Sequence, residues 1–438
     1  MDLLLAFIAF LACVAGCMAW NLSLSWALLV GFAAFFLVGL HRGHRAADLM
    51  RMAVKGTGTA VKVLRILLLI GLLTALWRAA GTVAFFVRAG VSFITPGTFI
   101  LVAFLLPAVF SMAFGSSFGV VGTAGVILMT IARSGGANLV VTAGAVMSGI
   151  YVGERLSPAS SAAAMTAAVA GVDDRAFRTR MWKDTPVPFF LTLALYGVLS
   201  VLFPIHQVDT RIMAALEEGF QLSWPVILPA VALLALPWLK MSASGAILVS
   251  CILSAVCAIW IQGMSLGELL LACVMGYRAT QPELADILSG GGLISMADVV
   301  IIVILSCAYS GMFSGTGLLD PVTSRMGTLV DRIGLFAVHI LLSFGTCMLF
   351  CNQTVGTVMS AQLMEEEYRR RGIDKMELAA NIGNSTINLA GLVPWAIASS
   401  VPLTTMGVGP EALFLAVYLY LLPLYAWVWS LWEEKRNG

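Results

Sequence analysis

The stretch VMSGIYVGERLSPASSAAAM, residues 146–165, carries small apolar residues up to the adjacent charges of Glu154 and Arg155. Pro158 follows, and the apolar run then resumes. Proline removes a backbone hydrogen bond, and an ionisable group inside a membrane is costly unless it serves a function. We interpret the stretch as a membrane helix that is interrupted where it faces a polar cavity.

The composition places this stretch in a membrane. The chain has 438 residues, of which 60% are hydrophobic and 11% are charged, against roughly 25% charged residues in soluble domains. Its apolar runs are long enough to cross a bilayer as helices and too continuous for barrel strands. We predict an all-α polytopic membrane protein with about 10 transmembrane helices: 3–19, 22–40, 66–80, 138–171, 186–203, 224–238, 243–262, 296–312, 377–405 and 411–431.

The sequence offers no sign of an enzyme. The eight cysteines lie almost wholly in apolar segments without paired spacing, which favours buried hydrophobic side chains over disulfides or a metal site. No nucleotide fingerprint or nucleophile triad is found, so we expect no nucleic-acid partner and no cofactor beyond a bound sodium ion. The first apolar segment has Asp2 and no preceding basic residue, which favours a retained helix over a cleaved signal.

Basic residues indicate the orientation of the chain. The connection 41–65 is rich in Lys and Arg, which places it in the cytoplasm by the positive-inside rule. Most of the 25 basic residues then fall on the cytoplasmic side, and both termini do as well. The assignment holds only if 98–133 and 334–369 each return to the side from which they enter. We therefore predict two re-entrant hairpins in a multi-pass protein of the inner or plasma membrane.

Short motifs recur in the two halves of the chain. Gly81-Thr82 returns as Gly315-Thr316, and Val121-Gly122-Thr123 returns as Val355-Gly356-Thr357, with a common spacing. Inverted repeats with interrupted helices are typical of secondary transporters with a midplane site. The predicted organisation is an N-terminal helix (1–21), a first repeat (22–203, with hairpin 98–133 and broken helix 138–171), a connecting region with one helix (204–242), a second repeat (243–431, with hairpin 334–369 and broken helix 377–405) and a cytoplasmic tail (432–438).

The interruptions are rich in polar groups and supply the candidate site. Half-helix ends carry partial charges, and freed carbonyl, hydroxyl and amide oxygens can coordinate a cation. The candidate substrate- or ion-binding residues are Gly115, Ser116, Ser117, Gly153, Glu154, Arg155, Ser157, Ser160, Asn352, Gln353, Thr354, Asn384, Ser385, Thr386 and Asn388. Three plainer interpretations stay open: hydroxyls bonded back to their own helices, a buried Glu154–Arg155 ion pair, and an Arg155 side chain that snorkels to a membrane face.

Several longer motifs resemble those of the NhaC-type sodium/proton antiporter family. They are FGSSFGVVGTAGVILMTIA (114–132) and SGIYVGERLSPASSAAAMTAAVAGVD (148–173), followed by CNQTVGTV (351–358), EEEYRRRG (365–372) and NSTINLAGLVPW (384–395). The resemblance implies membership of the ion-transporter superfamily, with inverted repeats, two hairpins and two unwound helices around a central site. It also implies an elevator-like movement, a homodimer, and transport of monovalent cations, with relatives that carry carboxylates or amino acids.

The chain departs from the family pattern at several acidic positions. Ser161, Asn352 and Asn384 stand where the family has acids, and only Glu154 remains. In one hypothesis, Glu154 is the sole exchanging carboxylate and takes either a proton or a sodium ion. In the alternative, the chain is a sodium- or proton-coupled carrier of a small organic solute, and Glu154 or Arg155 pairs with a charge on that solute. A channel-like or non-transporting protein that inherits the fold is the third hypothesis.

Overall fold

The computed structural model describes residues 2–20, 22–58, 60–93, 95–115, 117–158, 160–205, 210–239, 241–316 and 326–437. Throughout these ranges the chain is built from helices, and the only extended pairing is an isolated bridge between Tyr277 and Gly290. The prediction of an all-α polytopic protein is confirmed. Ser116 of the candidate site lies outside the described residues.

The described residues that precede the predicted connecting region form twelve α-helices: α1 (Asp2–Ala19), α2 (Leu24–His41), α3 (Ala46–Thr57), α4 (Ala60–Ala79), α5 (Thr82–Phe93), α6 (Phe99–Phe114), α7 (Ser117–Val120), α8 (Val126–Ser134), α9 (Leu139–Leu156), α10 (Ser161–Ala170), α11 (Asp174–Asp184) and α12 (Pro186–Leu202). Those that follow are α13 (Thr210–Gly219), α14 (Leu228–Ala235), α15 (Ala243–Trp260), α16 (Leu266–Met275), α17 (Pro282–Leu288), α18 (Ala297–Thr316), α19 (Met326–Ile333), α20 (Leu335–Phe350), α21 (Gln353–Arg370), α22 (Lys375–Asn384), α23 (Thr386–Leu389), α24 (Ile397–Met406) and α25 (Val417–Asn437).

Few of these helices are straight membrane spans. Among the described residues, 4 helices are long and apolar enough to cross a bilayer, and the number rises to 9 if each sharply bent pair forms one span. Each predicted span coincides with one or more helices. The segment 224–238 is divided into two 3₁₀ turns flanking α14, because Pro225, Pro229 and Pro237 interrupt its hydrogen bonds.

One apolar helix was not predicted. Helix α16 has ten residues, too few to cross a hydrocarbon core of roughly 30 Å at 1.5 Å per residue. It begins at a capping box, in which Ser265 and Glu268 satisfy each other's backbone N–H groups. It was not predicted because the predicted transmembrane helices are apolar runs long enough to cross a bilayer, and α16 is shorter than that.

The first predicted hairpin has a turn at its expected place. Gly115 adopts φ 64° and ends α6, and the chain then returns through α7, a π-helical turn (Val121–Gly125) and α8. Helix α9 runs parallel to α6, since Gly149 lies against Phe104 and Gly153 lies against Ser111. The segment between them must therefore reverse direction. Entry and exit through one membrane face stay a prediction.

The second predicted hairpin is an antiparallel pair of helices, α20 and α21. His339 Nδ1 lies 3.2 Å from the hydroxyl of Tyr368, and the hydroxyls of Thr346 and Ser360 lie 3.1 Å apart. Residue numbers thus rise on one helix as they fall on the other. At the turn, Cys351 adopts φ 54°, a backbone region that few residues other than glycine enter.

Both predicted broken helices are interrupted. Helix α9 ends at Leu156 and α10 begins at Ser161, while the second broken helix is interrupted at Ser385 and again between Leu392 and Ile397. A serine on the first helix of each hairpin bonds to a residue 42 positions later: Ser111 accepts from the N–H of Gly153, and Ser343 bonds to Ser385. The two halves therefore share a local contact pattern, and their inverted orientation stays a prediction.

Candidate functional site

Glu154 lies in the last turn of α9 and reaches the turn of the first hairpin. Its Oε1 accepts hydrogen bonds from the backbone N–H and from the hydroxyl of Ser117, each at 2.8 Å. Ser117 is the first residue of α7, so the carboxylate meets exposed N–H groups where a helical turn begins. Glu154 is only 7% exposed. Within the described part of the chain Oε1 is the engaged oxygen, which leaves Oε2 for a proton or a cation.

Arg155 points to different partners from those of Glu154. Its guanidinium is fully buried at 0% exposure and donates to Thr185 Oγ1 and to Asn384 Oδ1. Among the described residues no ion pair joins Arg155 to Glu154. The ion-pair interpretation is therefore wrong, and so is the interpretation that Arg155 snorkels to a membrane face.

Three helix interruptions meet at Arg155. The first is the end of α9, and the second is the 47° bend between α11 and α12, where Thr185 lies. The third is the junction of α22 and α23, where Asn384 precedes Ser385 with φ −121° and ψ −75°. Backbone groups freed by such breaks are tolerated only where other groups or a cavity satisfy them. The geometry therefore brings Arg155 and Asn384, both predicted site residues, to one place.

The remaining residues of the first break hold the backbone in shape. Ser160 caps α10 by accepting from Ala163 N at 3.1 Å, and it donates to the backbone oxygen of Glu154. Ser157 donates to Met112 O at 2.7 Å. Gly153 allows α6 and α9 to approach closely. These contacts position Glu154, and a direct part in binding stays a prediction for these residues.

The turn of the second hairpin also contacts the helix break that follows it. Asn352 caps α21 by accepting from Thr354 N at 2.9 Å, and Gln353 Nε2 donates to Ile387 O at 3.0 Å. The side chain of Thr354 is exposed. Gln353 thus links turn and break, as the Ser117–Glu154 contact does in the first half.

Ser385 and Thr386 form a buried hydroxyl cluster with Ser343. The hydroxyl of Ser343 lies 3.0 Å from that of Ser385 and 2.8 Å from that of Thr386. Ser385 also donates to Asn381 O at 2.5 Å. The cluster joins the second hairpin to the second break, and Ser343 was absent from the predicted site because a lone serine in an apolar run carries no signal.

Asn388 supplies an oxygen without a partner. The residue is 0% exposed, and its Nδ2 donates to Gly383 O at 3.3 Å. Its Oδ1 has no hydrogen-bond partner within the residues that the structure describes. A buried polar atom left unsatisfied costs about 1–3 kcal/mol. Amide oxygens are ligands for hard cations, so this atom fits a cation ligand.

Substitution of Asn388 by alanine is expected to weaken sodium binding, so that about ten times more sodium is needed for the same response. The fold should stay intact, because the substitution removes an unpaired oxygen and only one long hydrogen bond. The sodium concentration for half-maximal proton movement in proteoliposomes measures the effect. Ser254→Ala, which removes a buried hydroxyl bonded to Ser250 O within α15, is the matched control. An unchanged sodium dependence in Asn388→Ala would exclude Asn388 as a ligand.

Sequence reasoning also missed residues on the first half of the site. Thr185 lies between the predicted spans 138–171 and 186–203 and is not among the candidate site residues, although Asp184, Thr185 and Pro186 together carry the signal of a helix break. Asp184 accepts from Asn384 Nδ2 at 2.9 Å. Tyr151 lies one turn before Glu154, and its hydroxyl donates to Ala398 O at 2.8 Å, which ties α9 to α24.

A bundle of interrupted apolar helices with buried charges at their breaks defines a multi-pass membrane transporter. The sequence matches the Na⁺/H⁺ antiporter family over residues 3–204 and 192–430. The chain belongs to that family, and it is a transporter rather than an enzyme. The resemblance to sodium/proton antiporters, first seen in the motifs, is confirmed.

Characterised relatives differ in what they exchange. The chain is 26% identical over 431 residues to a malate-2H⁺/Na⁺-lactate antiporter of Bacillus subtilis, covering 95% of this chain and 92% of the relative. It is 26% identical to the Na⁺/H⁺ antiporter NhaC of Alkalihalophilus pseudofirmus, covering 86% and 83%. It is 27% identical to the arginine/ornithine antiporter ArcD of Halobacterium salinarum, covering 75% and 70%.

Proposed function

We propose that this protein is a secondary active antiporter that exchanges sodium for protons through Glu154. The observation that carries the proposal is the half-engaged, buried carboxylate of Glu154. Ser117 fixes Oε1 with two hydrogen bonds, and Oε2 is left for one cation at a time. Family membership and the sodium- and proton-coupled relatives support the same activity.

Competition for one carboxylate explains coupled exchange. An ionised carboxylate without a partner costs several kcal/mol inside a membrane protein. A proton or a sodium ion at Oε2 removes that cost, so the site changes its access mainly when one of the two is bound. When the site returns to its first orientation, it therefore carries the other cation. Uncoupled flow of sodium or of protons is suppressed.

Sodium at this place needs further oxygen ligands. Hard cations prefer oxygen donors, and the second break offers the unpaired Oδ1 of Asn388 together with the hydroxyls of Ser385 and Thr386. By the motif resemblance, Ser161, Asn352 and Asn384 stand where the family has acids. Glu154 is then the one carboxylate that balances the charge of a bound sodium ion, and its own negative charge is left without a counter-ion when the sodium leaves.

The experiment that tests the proposal measures proton movement in proteoliposomes containing a trapped pH dye. Pulses of sodium, potassium and lithium salts are applied separately. We expect a sodium pulse to change the internal pH, with a direction that reverses when the sodium gradient is reversed. Absence of any pH response to the three cations would overturn the proposal.

We further propose that the hairpins and broken helices move as one body against a scaffold of α1, α2, α14 and α15, in an elevator-like shift. The Phe10 ring of α1 packs edge-on against Trp395, with centroids 5.8 Å apart. This contact lies between the proposed scaffold and the second break, so it must change during such a movement.

A short thiol cross-linker between cysteines placed at positions 10 and 395, in a background without native cysteines, is expected to stop exchange because it ties the moving body to the scaffold. Proton movement before and after reduction of the linker measures the effect. Cysteines at Thr346 and Ser360, which lie within the second hairpin, form the control pair and leave exchange active. Full activity with the 10–395 link in place would exclude the shift.

A further inference from the structure

The guanidinium of Arg155 has hydrogen-bond donors that the described residues do not use. A guanidinium carries five N–H donors, and two of its bonds go to the neutral oxygens of Thr185 and Asn384. Its Nε–H is buried and has no hydrogen-bond partner among the described residues. The unpaired Nε–H and its neighbouring amino group form the planar edge on which a carboxylate binds with two parallel hydrogen bonds.

No carboxylate of the described chain neutralises Arg155. Glu154 is turned toward Ser117. Asp184 reaches Arg155 only through the side chain of Asn384, and it is already paired with Arg180 at 3.2 Å. A buried charge without a partner is strongly destabilising, so a permanent cation kept here calls for an anionic occupant.

A second unpaired donor lies beside Arg155. Tyr418, on α25, is 0% exposed, and its hydroxyl has no hydrogen-bond partner in the described part of the chain. Its oxygen lies close enough to the Arg155 guanidinium and to the Thr185 hydroxyl to interact with both, but it has no hydrogen bond of proper geometry to either. Two unpaired donors from different helices, one of them cationic, are thus buried at the place where the three breaks meet.

We propose that Arg155 and Tyr418 form a subsite for the carboxylate of a small organic solute that the protein carries together with its coupling cation. This inference rests on the proposed role of Glu154 as the coupling site. The solute carboxylate neutralises Arg155, and a proton or sodium ion neutralises Glu154. The fully loaded site then has no net charge and can cross the membrane at the lowest electrostatic cost.

The test uses the purified full-length protein and its thermal stability in detergent. The probes are lactate, malate and arginine. Each is compared with the corresponding amide, in which the carboxylate is replaced by a neutral group, and chloride and sulfate serve as inorganic anion controls. We expect at least one carboxylate to raise the melting temperature, since a ligand that binds only the folded state stabilises it. Its amide and the inorganic anions are expected to leave the melting temperature unchanged. All probes are used at ~10 mM, well above the Kd of about 1 mM that we expect for the carboxylate.

Variants assign the effect to this subsite. Arg155→Gln is expected to abolish the stabilisation, Arg155→Lys to weaken it by losing the planar fork, and Tyr418→Phe to weaken binding about tenfold. Arg51→Gln, at an arginine whose side chain is 82% exposed, is the control and keeps the effect. If Arg155→Gln does not fold, Tyr418→Phe and the comparison of each acid with its amide still show whether a carboxylate binds at this subsite.

The outcomes separate this inference from the proposed function. Sodium-driven proton movement without organic solute, combined with no stabilisation by any of the three carboxylates, would overturn the carboxylate subsite and leave sodium/proton exchange standing. Equal stabilisation by acid and amide, or by sulfate, would overturn it as well. Carboxylate-specific stabilisation in a protein that shows no cation-dependent proton movement would instead contradict the role given to Glu154.

Discussion

Replacement of Glu154 by glutamine is expected to abolish sodium-dependent proton movement. Glutamine has nearly the same shape, and its carbonyl oxygen can still accept the two hydrogen bonds from Ser117. It can neither release a proton nor balance the charge of a sodium ion. The fold is therefore preserved while the exchanging group is lost, and transport should fall to the level of empty vesicles.

The control for this substitution is Glu365→Gln, at an exposed position of α21 that lies away from the site. Both variants are reconstituted at equal protein density and given the same sodium pulse. Exchange that persists in Glu154→Gln at the rate of the control would show that another group carries the proton. Loss of exchange in both would point to a general defect in the reconstituted protein.

Substitution of Gly153 by alanine is expected to prevent correct packing of α6 against α9. A Cβ atom at this position would lie 2.0 Å from the carbonyl carbon of Ser111 and 2.1 Å from its oxygen. These are backbone atoms, so no side chain can rotate away and the two helices must separate. Overpacking of this kind typically costs 1–3 kcal/mol or more, and the shift also displaces Glu154.

Thermal unfolding of the purified protein, followed by size-exclusion chromatography, measures this effect. Gly197→Ala is the matched control, because a Cβ atom at Gly197 in α12 would have no neighbour within 4 Å among the described residues. Alanine is favoured over glycine in a helix by about 1 kcal/mol, so this control should melt at or above the native temperature. A Gly153→Ala protein as stable as the native one would refute the close contact between α6 and α9.

The architecture was largely predictable from the sequence. Hydropathy is enough to identify apolar helices, because a bilayer permits few other structures. The turn at Gly115 and the breaks near Pro158 and Ser385 were also predicted, since glycine, proline and clustered polar residues interrupt helices locally. Glu154 was singled out for a similar reason, because a carboxylate in an apolar run is conspicuous.

The partners of these residues were not predictable. Successive residues of a helix point roughly 100° apart, so the adjacent charges Glu154 and Arg155 face different neighbours. The partner of Arg155 on α22, Asn384, lies 229 positions away, and no local pattern encodes such a contact. Tyr418 carries no sequence signal of a site, because hydroxyl groups in apolar helices most often bond to the backbone.

The most direct test of the central claim is sodium uptake driven by a proton gradient. Radioactive sodium is offered to proteoliposomes that are acidic inside, and its accumulation is compared between the native protein and Glu154→Gln. We expect the native protein to accumulate sodium only while the gradient lasts, and the variant to accumulate none. Accumulation in the variant equal to that of the native protein, or native uptake that does not depend on the proton gradient, would contradict exchange at Glu154.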